Sequence, residues 1–228
     1  MSNTAEKETK TVDRPRWLFG RAELIIVILL GLVSMSVAYA SFESSLYGGN
    51  TSADYSKGNN LRTEAESLYL EGNQQYTQDS ATLQQLAVLK VAADAGDATA
   101  QAQYDQLYFI GVSDDLDKAF QKAAQQDIDD PSFYHDPQAD DDYQASLFDA
   151  YAKKLDKGVN LIKQGDLFNG YGDRLTLSTV LMALTLFLLG VAAVVRRPKT
   201  QIALAVIGMV IFVGAAIFAA TIPFVWLG

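Results

Sequence analysis

The chain has 228 residues, 49% of them apolar, no cysteine and a formal charge of −9. Leu24 to Phe42, Leu175 to Val195 and Thr200 to Gly228 carry no charged residue, and uncharged stretches of about 20 residues suit the ~30 Å hydrocarbon core of a bilayer. An ordinary soluble domain is thereby excluded, and so, without thiols, is a disulfide-stapled secreted scaffold.

In chain order, residues 1–21 form a basic tail with Lys7, Lys10, Arg14, Arg16 and Arg21. Residues 22–42 form the first predicted span. Trp17 and Phe19 lie where this span would enter the headgroup zone, which amphipathic rings favour. Ala38-Tyr39-Ala40 before Ser41 also resembles a secretory cleavage site. The apolar run exceeds the ~7–15 residues of a signal core, so the span reads as an uncleaved anchor, with cleavage after Ala40 as the alternative.

Residues 43–173 hold 23 acidic and 9 basic residues, a balance of −14, and the rest of the chain carries +5. Apolar spacings of three and four predict helices throughout. One passes through Leu61, Ala65, Leu68, Tyr69, Gly72 and Tyr76. A second, capped by Asp79 or Ser80, passes through Leu83, Leu86, Ala87 and Val91. After a break at Gly96-Asp97 come helices through Ala100 to Gly111 and Leu116 to Ala123, and a last one from Leu147 to Ile162. Gly48-Gly49 and the Gly165, Gly170, Gly172 stretch suit bends at the two junctions with the membrane, either as hinges or simply as places where the chain turns.

Residues 174–195 are the second predicted span, 196–201 a tight turn and 202–226 the third span. Arg196, Arg197 and Lys199 fill the turn, where Pro198 stops the helix. Pro223 is placed to kink or fray the end of the third span, and Trp226 to anchor it. Lysine and arginine beside spans are kept in the cytoplasm. Arg14, Arg16, Arg21, Arg196, Arg197 and Lys199 therefore set the N-terminus inside, the acidic insert outside and the C-terminus outside. In the third span Gly208, Gly214, Ala215, Ala216, Ala219 and Ala220 offer small faces for helix packing, within the chain or between chains.

Chemistry-bearing patterns are few. His135 is the sole histidine, which removes multi-histidine metal sites, and the absence of cysteine removes thiol catalysis. Neither a GxGxxG nor a GxxxxGK[ST] motif is present. Asp127 to Asp142 contains seven aspartates, but without the glycine and the order of an EF-hand loop. It reads as a solvated acidic loop, and no metal site is assigned. No catalytic residue and no cofactor are expected, and an acidic chain is a poor nucleic-acid binder. The apolar stretches Leu24 to Phe42, Leu175 to Val195 and 202–226 contain no acidic or basic residue, which argues against a proton relay or an ion-coupled transporter. The stretch Ala92 to Gly111, continued by Asp117 to Ala124, resembles one Sel1-type helical repeat. It stands alone where such repeats need about three copies to bury a core, so it reads as a tight helical hairpin.

Ala40-Ser-Phe-Glu-Ser-Ser-Leu-Tyr47-Gly48-Gly49, the Arg62-x-Glu64-Ala65 helix, Asp130-Pro131 to Tyr143, and the Leu175–Val195 span ending in Arg196-Arg197 set out a layout. It resembles small bacterial three-span membrane proteins of unknown function with a DUF4337-like arrangement. The resemblance implies architecture and no activity. The expected fold class is all-α: an integral membrane protein with three transmembrane helices and an extracytoplasmic helical domain inserted between the first and second. The expected place is the bacterial plasma membrane. The expected role is a non-enzymatic scaffold, sensor or partner-binding protein, self-associating in membrane lipid. A subunit of an ion-conducting pore with an acidic vestibule is the alternative.

Overall fold

The computed structural model describes residues 16–225, with side chains from Glu23 onward. Five helices make up these residues: α1 (Arg16–Asp94), α2 (Ala98–Gly111), α3 (Asp114–Asp129), α4 (Asp141–Val194) and α5 (Pro198–Ala220). A single 3-10 turn, Pro137–Ala139, precedes α4, and no strand occurs among the described residues. Segments of α1, α4 and α5 are each long and apolar enough to cross a bilayer, so the chain is a multi-pass membrane protein.

Prolines and caps explain where helices stop. Pro137 and Pro198 open helical turns, at the position where a missing N–H costs nothing. Gly96 takes φ +99°, a left-handed conformation that glycine reaches without a Cβ clash. It turns the chain after α1 into Asp97, whose carboxylate caps α2 by accepting from Thr99 N and Ala100 N at 2.8 and 3.2 Å. Ser113 caps α3 through Leu116 N.

The interior of α1 departs from the expected series of shorter helices. Helical hydrogen bonding continues through Gly48, Gly49 and Asp79, and α4 continues through Gly165, Gly170 and Gly172. Neither glycine stretch interrupts its helix, and neither Asp79 nor Ser80 caps a helix. The reason is a buried seam of seven-residue period. Ile26, Val33, Ala40 and Tyr47 are buried in α1 at intervals of seven, and after a four-residue step to Thr51 the interval resumes with Gly58, Ala65, Gly72, Asp79 and Leu86. A sustained seven-residue repeat is the signature of helices packing along each other's length, and that burial outweighs the ~1 kcal/mol penalty of each helical glycine.

The residues form two compact units, one of Met1–Thr51 and Asp166–Gly228, the other of Ser52–Gly165. In the first, α1, α4 and α5 pack around Ile26, Val33, Met182, Leu189, Ala192, Phe212 and Ala215. A second cluster, Ala40, Tyr47 and Leu175, includes half-buried Phe168 and Tyr171, whose rings lie 5.8 and 5.4 Å from that of Tyr47. Thr185 Oγ1 donates to the Gly208 carbonyl at 3.1 Å and joins α4 to α5. α5 ends at Ala220, so Pro223 lies past the helix rather than kinking it.

In the second unit α1 and α4 run antiparallel, since contacts pair Gly58 with Gly158 and Gly72 with Leu147. A Cβ on Gly58 would lie 2.8 Å from the Gly158 carbonyl oxygen, and one on Gly72 would lie 2.6 Å from that of Leu147. These glycines bring two backbones together. α3 completes the unit by burying Leu116 and Ala119 with Tyr143, against Tyr76 and Leu83 of α1.

Candidate functional site

Two places combine buried polar groups with a defined surrounding, one in each unit. In Ser52–Gly165 the centre is Asp79, 1% exposed. Its carboxylate accepts from Tyr143 Oη at 2.7 Å, Gln75 Nε2 at 2.9 Å and Ser113 Oγ at 3.4 Å. Burial, and then the Asp79 carboxylate, push the Tyr143 phenol well above its ordinary range, so Tyr143 stays a donor. Nearby, Tyr108 donates to Asp117, and burial followed by that carboxylate raises its phenol too. Carboxylates are satisfied by neutral donors here, which fixes α1, α3 and α4 to one another.

The acidic stretch Asp127–Asp142 is used locally. Asp127 accepts from the backbone N and the Nδ1 of His135, each at 2.8 Å. The backbone bond foremost, then the ring, holds its carboxyl below the usual range. Asp130 is lowered by the hydroxyl and then the backbone N–H of Ser132. Asp136 caps the 3-10 turn. Asp140 accepts from Asp142 N and Tyr143 N at the start of α4 and meets Lys122 Nζ at 2.5 Å, the lysine being the main cause of its lowered pKa. Among the described residues no three histidine or acidic side chains converge as a metal ion would require.

In the other unit, a cavity of about 560 Å³ lies among α1, α4, α5 and the segment after α5. Met35, Tyr39, Leu175, Met182 and Ala219 make much of its wall, Phe224 adds a second ring, and Glu43 is the one acidic residue lining it. Glu43 is 3% exposed. Its Oε2 accepts from Val225 N at 3.3 Å, while its Oε1 is buried with no hydrogen-bond partner. Tyr47, one turn further along α1, donates its hydroxyl to the Pro223 carbonyl. Glu43 and Tyr47 thus fasten the chain beyond α5 over this end of the bundle.

Of the residues singled out from sequence, Gly208 and Ala215 are buried in the first unit, and Ala216 and Ala219 pack against its core. Gly214 and Ala220 face outward, and a Cβ on Gly214 would meet nothing within 4 Å. Arg196, Arg197 and Lys199 are exposed around the α4–α5 turn. Arg16, Trp17 and Arg21 belong to α1, their side chains outside the described residues, as are Arg14 and Trp226 altogether.

Sequence reasoning passes over Glu43 and reads Asp79 as a candidate helix cap. Glu43 directly follows an uncharged run and reads as the first polar residue outside the membrane. The signal that locates it is the spacing Ile26, Val33, Ala40, Tyr47: three residues after Ala40 and four before Tyr47, Glu43 falls on the buried face. Asp79 falls seven residues after Gly72 and seven before Leu86, on the run of sevens that starts at Thr51. Comparison of the chain with protein-family models, curated proteins and solved structures finds no match.

Proposed function

We infer that the chain is a non-enzymatic protein of the bacterial plasma membrane that holds its acidic helical unit outside the cell for contact with a partner, and that it does so as a homo-oligomer. The observation that carries this reading is the surface of Ser52–Gly165. It has 20 acidic against 9 basic residues, yet leaves Val88, Val91, Phe109 and Ile110 of α1 and α2 between 70% and 87% exposed. Large apolar side chains left in water mark contact surfaces, and the surrounding negative field selects a partner with cationic groups. The Asp79 carboxylate at the centre of this unit is tied to Tyr143, Gln75 and Ser113, which suits a rigid contact element better than catalysis. The orientation rests on the basic N-terminal tail and on Arg196, Arg197 and Lys199, which the positive-inside bias retains in the cytoplasm. The DUF4337-like layout belongs to the same proposal.

The chain lacks native cysteine, so single-cysteine reporters test it directly. With a membrane-impermeant maleimide, Ser132→Cys is expected to label in intact cells and Lys199→Cys only after lysis; the reverse pattern overturns the orientation. A photoreactive phenylalanine replacing Phe109 should give a defined adduct in intact cells that the same residue replacing Gly49 does not. Equal adducts from both positions, or none, would remove the contact role. Single-channel current from the reconstituted oligomer would replace this reading by that of a pore subunit.

A further inference from the structure

We propose that the cavity beside Glu43 is a binding site for an amphiphile bearing an ammonium head on an apolar tail, a role separate from whatever the acidic unit contacts. Three observations converge. The cavity volume of about 560 Å³ falls within the ~300–1,000 Å³ of small-molecule sites. Its wall is apolar, with Met35, Leu175, Met182 and Ala219, and belongs to helices that cross the bilayer, so an alkyl tail reaches it from the lipid. Glu43 then introduces a carboxyl group, 97% removed from solvent by its 3% exposure, with one oxygen lacking any partner.

A buried carboxylate oxygen left unpaired is unfavourable; the Tyr39 phenol interacts with the Glu43 carboxylate, yet no donor reaches Oε1 with hydrogen-bond geometry. Asp79, the other acidic residue buried to this degree among the described residues, is met by three side-chain donors; half-buried Asp54 also has an oxygen without a partner, but it does not line this cavity. An ammonium group donates to a carboxylate in a short, charge-assisted bond, and the rings of Tyr39 and Phe224 on the same wall attract such cations at their faces. A fatty acid would oppose Glu43 with like charge, and a neutral alcohol would supply a weaker bond without a counter-charge. The required chemistry is shared by free lipophilic amines and by phospholipids with an ammonium headgroup.

The test uses the full chain in uncharged maltoside micelles and native mass spectrometry. The probes are dodecylamine, dodecanol and dodecanoate, with phosphatidylethanolamine and phosphatidylglycerol as a lipid pair. Dodecylamine is expected to bind at least about tenfold more tightly than dodecanol, with dodecanoate weakest, and Glu43→Gln to abolish that preference while leaving dodecanol unchanged. Ala220→Phe, which fills the cavity from an exposed wall position, should weaken amine and alcohol together without touching Glu43. Glu43-dependent retention of phosphatidylethanolamine over phosphatidylglycerol would identify a membrane lipid as the source. Glu43-dependent binding of dodecylamine alone would identify a free amine. Equal binding of amine and alcohol by the wild type, or an amine preference that survives Glu43→Gln, overturns the proposal.

Discussion

In the unit of Met1–Thr51 and Asp166–Gly228, the buried seam is made of Ile26, Val33, Met182 and Leu189, and the outside is apolar as well, with Leu24, Ile25, Met35 and Phe187 exposed. In Ser52–Gly165 the seam is Gly58, Ala65, Gly72 and Asp79, and the outside carries the charge. Helix α1 contributes to both with the same seven-residue interval, its register stepped by four between Tyr47 and Thr51, so periodicity places residues inward while surface chemistry selects the surrounding solvent. Lipid tails are as apolar as leucine and do not drive helices together, so the first unit depends on shape and on bonds such as Thr185 to Gly208. The second has few bulky side chains on the α1 seam, and gains from close backbone approach and a satisfied polar cluster.

The largest test of this contrast exchanges glycine for leucine. Gly158→Leu drives a side chain toward the Gly58 carbonyl, 2.8 Å from where its Cβ would stand, and should cost about 3 kcal/mol. Gly214→Leu, in open space, should stay within about 0.5 kcal/mol. Thermal unfolding followed by circular dichroism in maltoside reads both, and similar losses would show that the close seam is no special feature of Ser52–Gly165. Next, Tyr143→Phe keeps the ring but deprives Asp79 of its 2.7 Å donor, for an expected loss of about 2 kcal/mol in the same assay.

Gly49→Ala has the opposite sign. Gly49 is exposed inside α1 with nothing near its missing Cβ, so alanine should stabilise by about 0.5–1 kcal/mol; destabilisation would show that glycine is needed there for a bend. Thr185→Val removes the bond to Gly208 and should cost about 0.6 kcal/mol, the usual worth of such bonds between membrane helices. The smallest effect is a pH dependence. Asp127, Asp130 and Asp140 are held below the ordinary carboxylate range, so their contribution is present above about pH 4 and is lost as pH falls through the lower folded values. His135→Ala removes the ring donor at Asp127 but keeps the backbone N–H, the larger cause, and should flatten the acid limb of a Tm-versus-pH curve only in part. An unchanged limb would assign it to the backbone bond at Asp127 and to Asp130 and Asp140.

The α2 and α3 helices and the Gly96-Asp97 turn were legible in the sequence because their signals are local: a left-handed glycine, an aspartate two and three residues before the amides it caps, and Ser113 ahead of Leu116. The continuous course of α1 and α4 was not. Gly48-Gly49 and Gly165 to Gly172 carry the composition of turns, and only burial on both sides of them, at Tyr47 and Thr51 and at Gly158 and Leu175, keeps the helix going. The same holds for the candidate site, since nothing in the residues around Glu43 announces that Val225 and Phe224 return to it.

By itself the sequence determined that the chain is helical and crosses a membrane, because transfer into lipid sums over consecutive residues and needs no knowledge of neighbours in space. It also determined where the charge is concentrated. Tertiary structure alone decided which glycines join backbones and which face outward, that Asp79 is buried rather than capping, and that Glu43 lines a cavity with one oxygen unmet. Each of those depends on the atoms that stand across a helix interface, and residues far apart in the chain supply them.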